Sequence, residues 1–240
     1  VTALAEALLV NTTITKLDLG HNQIGEAGAR AIAGALRGNT TITKLDLGGN
    51  GIREAGAAAL SEALRGNGAL TELNLASNKI GDAGAKALAE ALRGNMTITE
   101  LKLLGNEIGA DGAKDIAQAL ERDRTLTELD FSCNKIGDAG AAALAQALLV
   151  NTTITKLRLR SNDIGPGGAA AIAQSLKANK ALGLLDFGTL PFSKDNNIGD
   201  GGATSLAEAF RENKTLTKLE LAGNGITDVG AVPLAEALKV

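Results

Sequence analysis

The chain has 240 residues, 45% of them hydrophobic, with 2% aromatics, neither Trp nor Tyr, and a formal net charge of −3. That length can bury a continuous core, and the slightly acidic balance excludes a general affinity for nucleic acid, which needs a basic stripe. No run of about 18 apolar residues is present to cross a membrane, and the single Cys excludes an internal disulfide, so a reducing, cytoplasmic setting is expected.

Taken from the N-terminus, residues 2–9 read as the back half of a helix. A strand is predicted around Lys16 to Leu19. A loop through His21, Asn22 and Ile24 leads to a helix from about Glu26 to Arg37, whose inner face is Ile32, Ala33 and Leu36. Gly38 follows, where a helix C-terminal glycine belongs. The same unit then recurs, most plainly from Leu70 to Gly94 as LTELNLASNKIGDAGAKALAEALRG. There Leu73 and Leu75 are spaced by two, as on one face of a strand. Ala85, Leu88, Ala89 and Leu92 recur at helical spacing. Asn78 has equivalents at Asn22, Asn50, Asn106, Asn134 and Asn162, each 28 residues from the next. The leucine pair recurs as Leu17/Leu19, Leu45/Leu47, Leu101/Leu103, Leu129/Phe131, Leu157/Leu159, Leu185/Phe187 and Leu219/Leu221. The step from Leu185 to Leu219 is 34, so copy seven carries a six-residue insertion near 188–196. The asparagine position is Asn196 there and Asn224 in copy eight.

One strand and one helix in under 30 residues cannot bury their apolar sides alone, so a fixed period of this size means a stacked solenoid. The string LxxLxLxxNxI followed by GxxGAxxLAxAL resembles the leucine-rich repeat of the ribonuclease-inhibitor-like class, which also forms the C-terminal arrays of NOD-like receptors. The resemblance implies an α/β right-handed solenoid: a horseshoe of eight 28-residue repeats, with a parallel concave β-sheet and convex helices, over 1–240 as one domain. Geometry gives the same curvature, since neighbouring strands sit about 4.8 Å apart and packed helices about 8–10 Å apart. Both termini fall inside repeat helices without a polar cap, so the chain reads as a piece of a longer array or an engineered one, and its cut ends could self-associate. LLVNTTITKL at Leu8–Leu17 reappears unchanged at Leu148–Leu157, a sign of recent duplication or consensus design.

The asparagine column Asn22, Asn50, Asn78, Asn106, Asn134, Asn162, Asn196 and Asn224 is expected to be structural, its amides satisfying backbone groups of its own and the adjacent turn, as the resemblance implies. Glu26, Glu54, Asp82, Asp138 and Asp200 share one register at the helix start, where a carboxylate favours the positive end of the helix dipole. Pro166 holds that register in copy six and suits a first helical turn. Five glycosylation sequons begin at Asn11, Asn39, Asn95, Asn151 and Asn213. All lie at the helix-to-strand turn, where Asn and Thr suit the backbone, so they read as turn residues.

Function is expected on the residues between and beside the leucines, which point into the concavity. Copies three to five carry the acids Glu72, Glu100, Glu128 and Asp130, with Lys102 and Leu104 among them. Copy six carries Lys156, Arg158 and Arg160. A pair such as Asp130 with Arg158 is expected between neighbouring copies. These side chains form either a solvated charged face or a partner-binding patch, with Arg as the available anchor type. The insertion is a second candidate, through Pro191, Phe192 and Lys194, because rim loops of solenoids are frequent contact sites. His21 is the only histidine and lies four copies from Cys133, so neither a histidine metal cluster nor a Cys–His nucleophile is expected. Asp195, Asn196, Asn197 and Asp200 are oxygen-rich but lack calcium-loop spacing. No phosphate-binding glycine loop is present. The expected role is therefore a protein-binding module, not an enzyme, with no cofactor and no nucleic-acid partner. By resemblance it would be a sensor or autoinhibitory segment of a larger receptor-like protein. The alternatives are a GTPase-activating regulator of a small GTPase and a consensus scaffold without a native partner.

Overall fold

The computed structural model describes residues 1–190 and 194–239. Helix α1 (Thr2–Val10) precedes eight strand–helix units. They are β1 (Lys16–Asp18) with α2 (Gly25–Leu36), β2 (Lys44–Asp46) with α3 (Arg53–Leu64), β3 (Glu72–Asn74) with α4 (Gly81–Leu92), and β4 (Glu100–Lys102) with α5 (Ala110–Leu120). The others are β5 (Glu128–Asp130) with α6 (Gly137–Val150), β6 (Lys156–Arg158) with α7 (Pro166–Ala178), β7 (Leu184–Asp186) with α8 (Gly199–Glu212), and β8 (Lys218–Glu220) with α9 (Asp228–Ala237). The strands form one parallel eight-stranded sheet in chain order. Equivalent leucines align from Leu17 to Leu219, so every copy sits in the same register. The protein is an α/β solenoid with its strands on the inner side and its helices outside.

The core is one column running the length of the stack. Each strand contributes an inward pair such as Leu73 and Leu75, each turn an Ile such as Ile80, and each helix a stripe such as Ala85, Leu88, Ala89 and Leu92, all buried. A glycine in the first turn of each of the helices α2 to α9 lets that helix close on its neighbour. A Cβ at Gly84 would lie 2.3 Å from Ile80 Cγ2 and 3.2 Å from Ala57 Cβ. Small helix faces and leucine strands thus share one packing plan, which is why the chain needs so few aromatics; Phe131 and Phe187 take leucine positions and are fully buried.

Helix ends are closed across copies. Gly38, expected as a C-terminal cap, is not left-handed; Arg37 before it stays helical at φ −61°, ψ −32°. The orphan carbonyl at the end of α2 is met instead by the next copy, where Asn67 Nδ2 donates to Leu36 O at 2.7 Å. Asn39, Asn95, Asn151, Asn179 and Asn213 do the same for Leu8, Leu64, Leu120, Leu148 and Leu176. Helix starts come in two forms. Where the preceding copy has Asp82, Asp138 or Asp200, the residue before the helix is extended and the carboxylate reaches across to it. Asp82 Oδ1 accepts from Gly109 N at 2.7 Å and Gly112 N at 3.0 Å, and Asp138 Oδ1 from Gly165 N at 2.7 Å. Where the preceding copy has Glu26, Glu54, Ala110 or Pro166, the next helix opens on a left-handed residue, namely Arg53, Gly81, Gly137 and Gly199. The acids read as partners of their own helix dipole therefore act, where they are Asp, on the following helix, because the short side chain reaches that helix's free N–H groups.

Candidate functional site

The sheet face is built by period two. Because the leucines of each three-residue strand turn inward, the residues flanking them stand on the opposite face in ordered columns. The first column is Lys16, Lys44, Glu72, Glu100, Glu128, Lys156, Leu184 and Lys218, and the second is Asp18, Asp46, Asn74, Lys102, Asp130, Arg158, Asp186 and Glu220. Most are half-buried, since side chains of adjacent strands lean on one another.

Several acids and bases on this face, including Arg160 just past β6, are joined in pairs. Lys44 Nζ meets Glu72, and Lys102 Nζ lies 2.9 Å from Glu100 Oε1. That hydrogen bond holds the Lys102 ammonium above its usual pKa despite partial burial, with Asp46 and Glu72 adding to the field. In copies five to seven Glu128 binds Lys156 Nζ, and Arg158 Nη1 approaches its other oxygen at 3.7 Å. Arg160 Nε donates to Asp186 Oδ2, and that carboxylate is only 2% exposed. The expected Asp130–Arg158 pair does not form, although the two residues are register neighbours. Asp130 Oδ1 turns back to accept from Ser132 N at 2.9 Å. Asp18, Asp46, Asn74 and Asp186 close their own strand ends in the same way, through Gly20 N, Gly48 N, Ala76 N and Gly188 N. The local bond, with its donor two residues away, costs little chain entropy and occupies one carboxylate oxygen. At Asp186 the other oxygen also takes Arg160, whereas Arg158 turns to Glu128 and leaves Asp130 with the local bond.

The sequence-derived patch is thus not one cluster. Glu72, Glu100 and Lys102 line an open depression of about 290 Å³ on the face of copies one to four. Glu128, Lys156 and Arg158 form a second group, Arg160 with Asp186 a third, and Leu104 stands half-buried beside them. On the rim, Lys194 Nζ lies 2.7 Å from Asp163 Oδ1 with its side chain 80% exposed. Pro191 and Phe192, the apolar tip expected of the insertion, lie outside the described residues. His21 is exposed and Cys133 half-buried; both take left-handed backbone, at φ 55° and φ 54°, in the turn before the asparagine. Among the described residues no group of His, Cys, Asp and Glu is placed to hold a metal, and no helix is long and apolar enough to cross a membrane.

The asparagine column lies under this face. Asn78, fully buried, donates Nδ2 to Leu75 O and Ala76 O of its own turn and to Leu47 O of the previous copy. Its Oδ1 accepts from Asn50 N and Ile52 N. Asn50, Asn106, Asn134 and Asn196 bridge copies with both ends of the amide in the same way. The sequence places Asn39, Asn95, Asn151 and Asn213 in the helix-to-strand turn as turn residues, but it does not show that with Asn67 and Asn179 they form a ladder between copies. Its signal was the same period, in Asn39, Asn67, Asn95, Asn151, Asn179 and Asn213.

Solved structures share the fold. That of leiomodin-1 actin-binding site 2 is 23% identical, with a TM-score of 0.51, covering 63% of this chain and 87% of that one. The tropomodulin C-terminal domain of Caenorhabditis elegans is 17% identical, with a TM-score of 0.50, covering 76% of this chain and 91% of its own. No curated protein matches the sequence. A comparison with protein families matches the Leucine Rich repeat at residues 10–33, 38–61, 69–89, 94–117, 122–145, 150–173, 194–207 and 212–235. These segments make up well over half of the sequence and touch all eight strand–helix units, so the chain belongs to the leucine-rich repeat family.

Proposed function

We propose that this solenoid is a protein-interaction module that holds its partner on the sheet face of copies three to six. The contacts would come from Glu72, Glu100, Lys102, Leu104, Glu128, Asp130, Lys156, Arg158 and Arg160, with Lys194 and the insertion loop at the rim. The observation that carries this reading is the anchoring of copy six: Arg160 is fixed on the buried carboxylate of Asp186, and Lys156 and Arg158 on Glu128. Side chains held in place before binding lose less rotamer freedom when a partner arrives, so more of the contact energy appears as affinity. Arg is a frequent interface anchor, and this face supplies two beside each other. Within a larger receptor-like protein the same face would serve as the sensor or autoinhibitory surface.

The test compares the chain with the double variant Arg158→Ala/Arg160→Ala, after circular dichroism has shown equal helix content. Binding is measured by affinity capture from cell extract and by co-sedimentation with purified actin, the protein for which the leiomodin-1 site is named. We expect the captured partner to bind about tenfold more weakly or worse, as losing such anchors does. Equal capture by the two chains would remove this face from consideration.

A further inference from the structure

Five Asn-X-Thr sequons recur in the sequence, and the fold engages four of them between neighbouring copies. Asn39, Asn95, Asn151 and Asn213 are each between 1% and 5% exposed. Each Nδ2, the atom that would carry a sugar, donates to two backbone carbonyls of the previous copy. Asn39 meets Leu8 O at 2.7 Å and Asn11 O at 3.3 Å; Asn213 meets Leu176 O at 2.7 Å and Asn179 O at 3.0 Å. Asn95 and Asn151 repeat the pattern on Leu64 and Asn67, and on Leu120 and Asp123. The sequon threonine is also engaged: the hydroxyls of Thr41, Thr97, Thr153 and Thr215 donate to the Oδ1 of the asparagine two residues before them. Both residues that define the sequon are therefore consumed by the turn.

We infer that this chain folds in a compartment without asparagine-linked glycosylation, and that the four inner sequons are by-products of the helix-closing ladder. Glycosyl transfer would join C1 of the first sugar to Nδ2, break the bond from C1 to the carrier-lipid pyrophosphate, and release one Nδ2 proton. An extended chain exposes all four sites, so transfer would precede folding. The substituted nitrogen keeps one hydrogen for two carbonyls, and the sugar needs space that the closed turn between copies does not have. A glycan at any of the four would hold two copies apart and break the stack at that point.

The experiment expresses the same 240-residue chain in glycosylating cultured cells, with and without a secretion signal, and with synthesis of the lipid-linked sugar donor either active or inhibited. Protease resistance reports folding, and peptide mass spectrometry maps the sugars. We expect the unsecreted chain to be folded and the secretion-routed chain to be retained and protease-sensitive, with sugar at one or more of the four inner sites. Inhibiting the donor should restore protease resistance. Any folded material secreted while the donor is active should carry no sugar at Asn39, Asn95, Asn151 or Asn213. Protease-resistant secreted protein with a glycan on Asn39, Asn95, Asn151 or Asn213 would overturn the inference, as would failure of donor inhibition to restore folding.

Discussion

The two turns of each copy both place an asparagine between neighbouring repeats, and they use it differently. At the strand-to-helix turn, Asn78 crosses to the previous copy with both ends, donating to Leu47 O and accepting from Asn50 N and Ile52 N. At the helix-to-strand turn the work is divided. Asn95 Oδ1 accepts from Thr97 N and Ile98 N of its own turn, and only Nδ2 crosses over, to Leu64 O and Asn67 O. The second arrangement therefore tolerates a carboxylate and the first does not. The chain contains the natural experiment: Asp123 occupies the second ladder, still accepts from Thr125 N at 2.8 Å and Leu126 N at 2.7 Å, and has no hydrogen to give the end of α4. A side chain's local bond and its bond between copies can be lost separately in one turn and only together in the other.

Three substitutions sharpen that contrast. Asn78→Asp places a fully buried carboxylate against three carbonyls, and should cost at least about 3 kcal/mol. The urea midpoint should fall accordingly, with copies two and three losing amide protection first. Asn95→Asp keeps its turn and loses only the crossing bonds, so about 1–2 kcal/mol is expected from the same titration. A larger loss for Asn95→Asp than for Asn78→Asp would break the comparison. Asp123→Asn supplies the missing donor and should raise stability by about 1 kcal/mol. A lowered midpoint there would mean that copy five has adapted to the acid.

The repeat, the sheet register and the buried leucines were legible because they follow from periodicity, and each copy confirms the next. The bonds between copies were less legible, since they depend on the reach of one side chain. Glu26 and Asp82 share a register and a charge, yet only Asp82 caps the following helix; the signal was the difference of one methylene. The columns on the sheet face could be assigned from the two-residue period, but not the pairing within them. Asp130 beside Arg158 is the obvious ion pair on a flat lattice, but Arg158 turns to Glu128, and Asp130 keeps the Ser132 N–H.

The smallest effect belongs to the Asp caps, which lie at the exposed turn surface, outside the buried ladders. Asp200 Oδ1 accepts from Thr227 N at 2.7 Å and Gly230 N at 3.0 Å, and Oδ2 from Thr227 Oγ1 at 2.7 Å. Its bond from the Thr227 N–H, then that from the Thr227 hydroxyl, holds the carboxyl below its ordinary 3.8. A carboxyl whose pKa is lower in the folded chain stabilises that state fully above the unfolded value and loses the contribution as pH falls through the folded one. The start of α9 should therefore loosen only in acid, below pH 3.8. Following the Thr227 and Gly230 amide shifts by NMR should show a shared inflection below that pH, absent in Asp200→Ala. The amides of Asn224, held in the buried ladder beside it, should not follow the same curve. If they did, acid would be acting on the whole end of the stack, and the separation between exposed caps and buried ladders would fail at copy eight.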